Sequence, residues 1–160
     1  MFTLQKQTAK LTNVNPRSEL HGEEKHLAAD LNFEIAVSND VLSEFSPTLK
    51  SSLYRKLSNG EGDLLPEEPG TLSKLKYPEL CPVKWNSQLN GYEMVIHYGV
   101  TKTQDIKLID CTVDKFRFDC QDGGTVIVQF RIVAHPEPTE LGRLCEMIQQ
   151  EVEMTLIEPA

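Results

Sequence analysis

Residues 116–134 read FRFDCQDGGTVIVQFRIVA, and this stretch decides the fold class because it contains a complete β-hairpin. Apolar side chains occupy every second position on both sides of a central glycine pair, as in strands with one buried face. A three-residue loop at residues 122–124 places Phe118 opposite Val128 on a shared apolar face, whereas a two-residue loop does not. We therefore predict a three-residue turn with a glycine in the left-handed conformation.

The same alternation extends outward from this hairpin in both directions along the chain. It predicts further strands over residues 8–14, 27–37, 92–98, 106–113 and 152–156. A polar loop over residues 15–25 is expected to join the first two strands, because it contains proline and glycine. We predict a mainly β (α+β) fold, an antiparallel β-sandwich or bent sheet of about seven or eight strands with two helices.

The two predicted helices have recognisable boundaries. Ser46 and Pro47 are typical of a helix start, and leucines at 49, 53 and 57 give an apolar stripe as far as residue 59. Residues 139–150 carry Leu141, Leu144, Cys145 and Ile148 at helical spacing. Both helices therefore present one face to the sheet.

Residues 58–91 lose all periodicity and contain four of the nine prolines and four of the nine glycines. We therefore predict a long irregular excursion within one domain spanning residues 1–160. Loops of this length tend to be functional or disordered. Trp85, the sole tryptophan, is expected to pin the excursion to the core, with a ligand contact as the alternative.

The charge is acidic and unevenly distributed. Sixteen basic and 24 acidic side chains give a net charge of -8, which excludes a surface that is uniformly attractive to phosphate. Residues 137–160 hold six acidic side chains and one basic, a net charge of -5. Glu146, Glu151 and Glu153 form an acidic face that would suit a basic protein partner, although a solvated surface produces the same pattern.

The chain has neither an apolar run of about 18 residues nor a secretory leader, so we expect a cytoplasmic protein without membrane contact.

The four cysteines, Cys81, Cys111, Cys120 and Cys145, lack metal-ligand spacing. The last three fall on predicted apolar faces, where reduced thiols pack as small hydrophobes. We predict neither a metal nor a cofactor.

Sequence motifs of common enzymes are absent, including the nucleophile elbow, the phosphate-binding loop and the zinc-protease helix. We therefore predict a protein that is not an enzyme. His21, Glu23, Glu24 and His26 form the densest ionisable cluster and are the alternative, a divalent metal site. His97 and His135 lie on strands beside apolar residues and are expected to be hydrogen-bonded structural histidines.

A single-stranded nucleic-acid site is the alternative binding function. Such sites combine cations for the backbone with rings for base stacking. The excursion supplies both residue types at Lys74, Lys76, Tyr77, Lys84 and Trp85.

Two stretches resemble small uncharacterised proteins of tailed bacteriophages and prophages. They are AKLTNVNPRSELHGEEKHLAADLNFEIAVSND, residues 9–40, and FRFDCQDGGTVIVQFRIVAHPEPTELGRLCEMIQQEVEMTLIEP, residues 116–159. The resemblance rests on the order of strands, glycine turn, helix and acidic last strand, and carries no catalytic motif. It implies expression in a bacterial host and an early phage function, such as recombination or neutralising a host defence. The prediction is a protein that binds a host or phage macromolecule through the excursion or the acidic face.

Overall fold

The structure is a computed structural model that describes residues 1–58, 71–98 and 104–160. Its strands are β1 (Leu4–His21), β2 (Glu24–Ser38), β3 (Tyr54–Arg55), β4 (Lys74–Leu75), β5 (Val83–Trp85), β6 (Leu89–His97), β7 (Ile106–Cys120), β8 (Thr125–Ala134) and β9 (Gln150–Ile157). The α-helices are α1 (Leu49–Leu53) and α2 (Pro138–Glu146), and short 3₁₀ helices cover Asn39–Glu44 and Pro78–Leu80. Among these residues, no helix is long and apolar enough to span a membrane.

Six strands close into an antiparallel barrel, so the predicted sandwich or bent sheet is wrong. The strand order is β7-β6-β9-β1-β2-β8, and β8 pairs again with β7 to complete the ring. Closure depends on β8, which pairs along its whole length with β2 and also with β7. Closed and open sheets share the same alternation of inward and outward residues, which is why the sequence pattern did not distinguish them.

The central hairpin has the predicted register. Cys120 lies opposite Val126 and Phe118 opposite Val128, and both turn glycines, Gly123 and Gly124, have positive φ. The register then shifts between Asp114 and Arg117, and such bulges increase the bend that a small barrel needs.

A seventh strand, β5, extends the barrel wall. It pairs with β7 through Val83 opposite Phe118, and β6 follows on the same edge with Leu89 opposite Val113. The described part of the excursion is therefore more regular than predicted, because it contains β4, β5 and the start of β6. Residues 59–70 of that excursion lie outside the described residues.

Aromatic side chains fill the buried side of the barrel. The Phe2 ring packs edge-to-face on Phe116 and Phe130, with centroids 5.5 and 5.3 Å apart. Phe130 also stacks on Phe33 at 5.7 Å. Such pairs add to the stabilisation that comes from burying their apolar area.

The first predicted helix is much shorter than its leucine spacing indicates. Helix α1 ends at Leu53, because Tyr54 and Arg55 leave it to pair with β4. The buried Tyr54 hydroxyl donates to the Gln121 carbonyl oxygen at 2.8 Å. Tertiary contacts thus override the helical pattern.

Helix α2 also ends earlier than predicted, at Glu146. It starts with a capping box between Glu137 and Glu140 and with a proline in its first turn. Gln149 then adopts a left-handed φ of 68°, and β9 begins beside β1. Of the three cysteines predicted to be buried, Cys111 and Cys120 are buried, whereas Cys145 is exposed.

The predicted polar loop at 15–25 is instead the outer part of a long hairpin. Strands β1 and β2 pair continuously from Asn13 to His21, leaving only residues 22 and 23 as the turn. Pro16 fits inside β1 because the β9 pairing stops at Leu11, so the far edge of β1 needs no donor there. This extension positions the candidate site.

Candidate metal centre

Strand alternation places several ionisable side chains on one outer face of the β1–β2 hairpin. Arg17, Glu19 and His21 are two residues apart on β1, and His26 on β2 lies opposite Glu19. His135 directly follows β8, whose last residue Ala134 pairs with Ala29 of β2. Three adjacent strands therefore bring Glu19, His21, His26 and His135 together, and we call these four residues the histidine cluster.

Glu19 is the centre of the histidine cluster. Its Oε2 lies 3.0 Å from Nε2 of His135 and 3.2 Å from Nε2 of His21. One ligand atom from each of these three residues lies within 4.8 Å of the other two. Neighbouring ligand atoms around a tetrahedral zinc ion are about 3.3 Å apart, so two of the three separations already match.

The opposite oxygen of Glu19 is held by Arg17. The guanidinium donates from Nη1 to Glu19 Oε1 and from Nε to Asp30 Oδ1, the latter at 3.2 Å. Asp30 Oδ2 in turn lies 3.9 Å from Arg131, which makes a two-bond pair with Asp114 at 2.7 and 2.8 Å. This outer layer orients the Glu19 carboxylate and leaves Oε2 available for the histidines or an ion.

The environment keeps Glu19 ionised. Hydrogen bonds from His135 and His21, together with Arg17, lower the pKa of Glu19 to about 2. Metal ligands must be deprotonated, and this carboxylate meets that requirement throughout the neutral range.

His26 is the candidate for a fourth ligand. Its ring centroid is 4.7 Å from that of His21, in an edge-to-face arrangement. Its Nε2 also lies 3.5 Å from Glu24 Oε2, an exposed carboxylate. A rotation of the His26 side chain or a water molecule would complete four-coordination.

The histidine cluster borders a groove of about 630 Å³. The groove exists because β8 stops at Ala134, whereas β7 continues past its last partner pair, Thr112 with Val133. Pro136 and Pro138 lie in this groove, and prolines cannot continue a strand ladder. His21, His26 and His135 line one wall, with Lys107 and Ile109 of β7 also present.

Half of the histidine cluster was predictable from the sequence. His21 and His26 were grouped with Glu23 and Glu24 as the alternative metal site. Glu23 occupies the two-residue turn and is exposed, whereas Glu19 and His135 were missed. The missed signal is the spacing Arg-x-Glu-x-His at residues 17–21, which points to one face only if those residues form a strand.

The residues predicted to bind nucleic acid lie on or beside two separate short strands, β4 and β5. Lys74 belongs to β4 and pairs with Asp122 at 3.4 Å, while the neighbouring Lys76 and Tyr77 are exposed. Lys84 and Trp85 belong to β5. The Trp85 ring packs edge-to-face on Phe45 at 6.0 Å, which agrees with its predicted role of pinning the excursion.

The acidic face predicted at the C-terminus is present at the surface. Glu146 at the end of α2 is exposed, as are Glu151 and Glu153 on β9. Among the ion pairs formed by described residues, none includes these three carboxylates.

Comparison with protein-family models, curated proteins and solved structures gives no match to this chain. The class that the structure itself defines is a closed antiparallel β-barrel with a surface histidine cluster. The resemblance to tailed-phage proteins stays a prediction.

Proposed function

We propose that the protein binds a divalent transition-metal ion at the histidine cluster, with Glu19, His21 and His135 as ligands. The observation that carries this proposal is the approach of two imidazole nitrogens to one carboxylate oxygen, at 3.0 and 3.2 Å. Both histidine donors to that oxygen would give up their bridging protons when the ion enters.

The donor set favours zinc, nickel or copper over magnesium and calcium. Imidazole nitrogen suits the later transition metals, whereas magnesium and calcium prefer oxygen ligands. The side chains of His21 and His135 are 55% and 40% exposed. A bound ion therefore stays open to solvent or to a ligand in the groove.

Isothermal titration calorimetry of the full chain with zinc chloride tests the proposal. We expect one zinc ion per chain at neutral pH, and at least about tenfold weaker binding after Glu19→Gln or His135→Ala. His97→Ala is the matched control, because it removes a histidine outside the histidine cluster. Binding that is unchanged in both cluster variants would contradict the proposal.

As a second candidate, we propose that the acidic face binds a basic macromolecule of a bacterial or phage partner in the cytoplasm. The exposed carboxylates of Glu146, Glu151 and Glu153, which have no ion pairs within the described chain, support this proposal. The alternative function is binding of single-stranded nucleic acid by the lysines and aromatic residues of the excursion. The packing of the Trp85 ring on Phe45 disfavours it, because that ring is then not free to stack on a base.

Capture from bacterial lysate at low and high salt tests this second function. The expected result is a basic protein retained at low salt and released at high salt. The triple variant Glu146→Lys, Glu151→Lys and Glu153→Lys should lose that protein. The matched control is Glu23→Lys and Glu24→Lys, which reverses exposed carboxylates elsewhere. Equal capture by the acidic-face variant and wild type would exclude the acidic face.

A further inference from the structure

A second polar cluster lies where β6 and β9 pair. Nε2 of His97 is 2.7 Å from Oγ1 of Thr155, and Nδ1 of His97 is 3.3 Å from Oδ2 of Asp105. A hydroxyl, an imidazole and a carboxylate thus stand in series. We call this arrangement the Thr155 triad.

The neighbours of the Thr155 triad determine where its protons lie. The Asp105 carboxylate accepts, so Nδ1 of His97 carries the hydrogen, and in neutral imidazole Nε2 then has a free lone pair. The backbone N–H of Lys6 donates to Thr155 Oγ1 at 3.1 Å. The Thr155 hydroxyl can therefore direct its own hydrogen to His97, as a nucleophile does toward its base.

The backbone around the Thr155 triad is arranged for these contacts. Lys6 has a φ of 45° and sits in a register shift between Leu4 and Gln7, so its N–H points to a side chain rather than to the sheet ladder. Positive φ at a non-glycine residue is costly and is common at functional sites. Asp105 is fixed in turn, because its Oδ1 accepts the Tyr98 N–H at 3.1 Å.

Substrate-sized space adjoins the hydroxyl. Thr155, His97 and Asp105 line a groove of about 810 Å³ together with Lys6 and Lys107. The side chains of His97 and Asp105 are 21% and 18% exposed, so the base is partly shielded from water. Glu93 also lines the groove and pairs with Lys107 at 3.1 Å, so Lys6 is the lining cation that has no ion pair among the described residues and favours an oxyanion.

We propose that the Thr155 triad is an acyl-transfer site for small carboxylic esters. Thr155 Oγ1 forms a bond to the ester carbonyl carbon while the hydroxyl proton passes to Nε2 of His97. The bond from that carbon to the leaving alkoxide breaks, and the alkoxide takes the electron pair and then the proton. Water then attacks the acyl carbon while its proton passes to Nε2 of His97. The bond from that carbon to Thr155 Oγ1 breaks, Oγ1 takes the proton back, and the carboxylic acid is released.

The test uses the full chain and p-nitrophenyl acetate, with nitrophenolate release and peptide mass spectrometry as readouts. We expect one acetyl group on Thr155 and a release rate that falls at least about tenfold in the isosteric variant Thr155→Val. Thr155→Ser should retain acetylation. Thr112→Val, which removes another strand hydroxyl, one that contacts Asn90, should react like wild type.

The roles of His97 and Asp105 have separate readouts. His97→Ala should lose acetylation and recover it when imidazole is added. Asp105→Asn should lower the acylation rate constant without changing the half-saturating ester concentration, because Asp105 only positions His97. Acetylation that avoids Thr155, an unchanged rate in Thr155→Val, or a His97→Ala loss that imidazole does not restore would overturn the proposal.

Discussion

Glu19 is the carboxylate of the histidine cluster, and its hydrogen bonds determine its pKa. It accepts from Arg17 with one oxygen and from two histidines with the other. The lowering of its pKa follows from these hydrogen bonds. The same arrangement that favours the ion therefore also ties folding stability to pH.

Glu19→Gln should reduce the loss of stability in acid. The pKa of Glu19 is lowered from 4.5 to about 2, so its ionised form stabilises the fold above about pH 4.5, and this contribution disappears as the pH falls toward 2. Urea unfolding across that range should show a shallower decline for the variant. The loss at neutral pH should be about 1 kcal/mol or less, since the ion pairs are at the surface.

Glu151→Gln is the control for this prediction, because Glu151 is exposed and has no ion pair among the described residues. Its unfolding curve should follow wild type at each pH. An equal change in both variants would mean that net charge alone, rather than the contacts of Glu19, sets the acid response.

Cysteine reactivity should distinguish the exposed thiol of Cys145 from the buried thiols of Cys111 and Cys120 in the folded protein. Burial raises the pKa of Cys111 and of Cys120 to about 12, so neither supplies the thiolate that reacts. A chromogenic disulfide reagent should modify Cys145 rapidly, because it is exposed, and reach the two buried thiols only after unfolding. Rapid native modification of Cys111 or Cys120 would contradict the burial described above.

At the scale of elements, substitution of glycine by alanine should change the free energy of unfolding in opposite directions at Gly124 and Gly142. Gly124 has a φ of 91°, and a Cβ there would lie 3.4 Å from Asn39 Nδ2. Its carbonyl oxygen also accepts the Asn39 N–H at 2.8 Å. Gly124→Ala should therefore lower the free energy of unfolding by about 1 kcal/mol or more.

Gly142 in α2 is the matched position, because a Cβ there meets nothing within 4 Å. Gly142→Ala should raise the free energy of unfolding by up to about 1 kcal/mol through helix propensity. Chemical denaturation measures both. A stabilising Gly124→Ala would show that the turn tolerates an L side chain without strain and would contradict this prediction.

The elements also show where sequence reasoning succeeds. The alternation in β2, β7 and β8 predicted strands and the hairpin register because one-sided burial leaves a period-two signal. It failed in β1 beyond Val14, where Pro16 and the polar side chains of Arg17, Glu19 and His21 suggested a loop. Those side chains are polar because they form the outer face of the hairpin, and this error concealed Glu19 from the predicted metal site.

At the scale of the molecule, the barrel depends on its aromatic interior. Phe130 contacts Phe2, Phe33 and Phe116 and lies on β8, the strand that pairs with both β2 and β7. Phe130→Ala should cost about 3–5 kcal/mol in unfolding free energy. Ile109→Ala, at a side chain that is 69% exposed, should stay within about 0.5 kcal/mol of wild type.

Barrel closure and the histidine cluster both depend on pairing between strands that are far apart in the sequence. Ring closure requires non-local pairing that no single segment of sequence encodes, so His135 and Glu19, 116 positions apart, could not be associated from spacing. The acidic C-terminal face was predictable because it depends on composition alone.

Anomalous diffraction from crystals of the full chain grown with zinc tests the central claim most directly. We expect a peak at the zinc absorption edge within about 2.3 Å of Glu19 Oε2 and of Nε2 in both His21 and His135. A zinc-containing crystal whose anomalous peaks all lie elsewhere, with the direct Glu19 to His135 hydrogen bond intact, would contradict it.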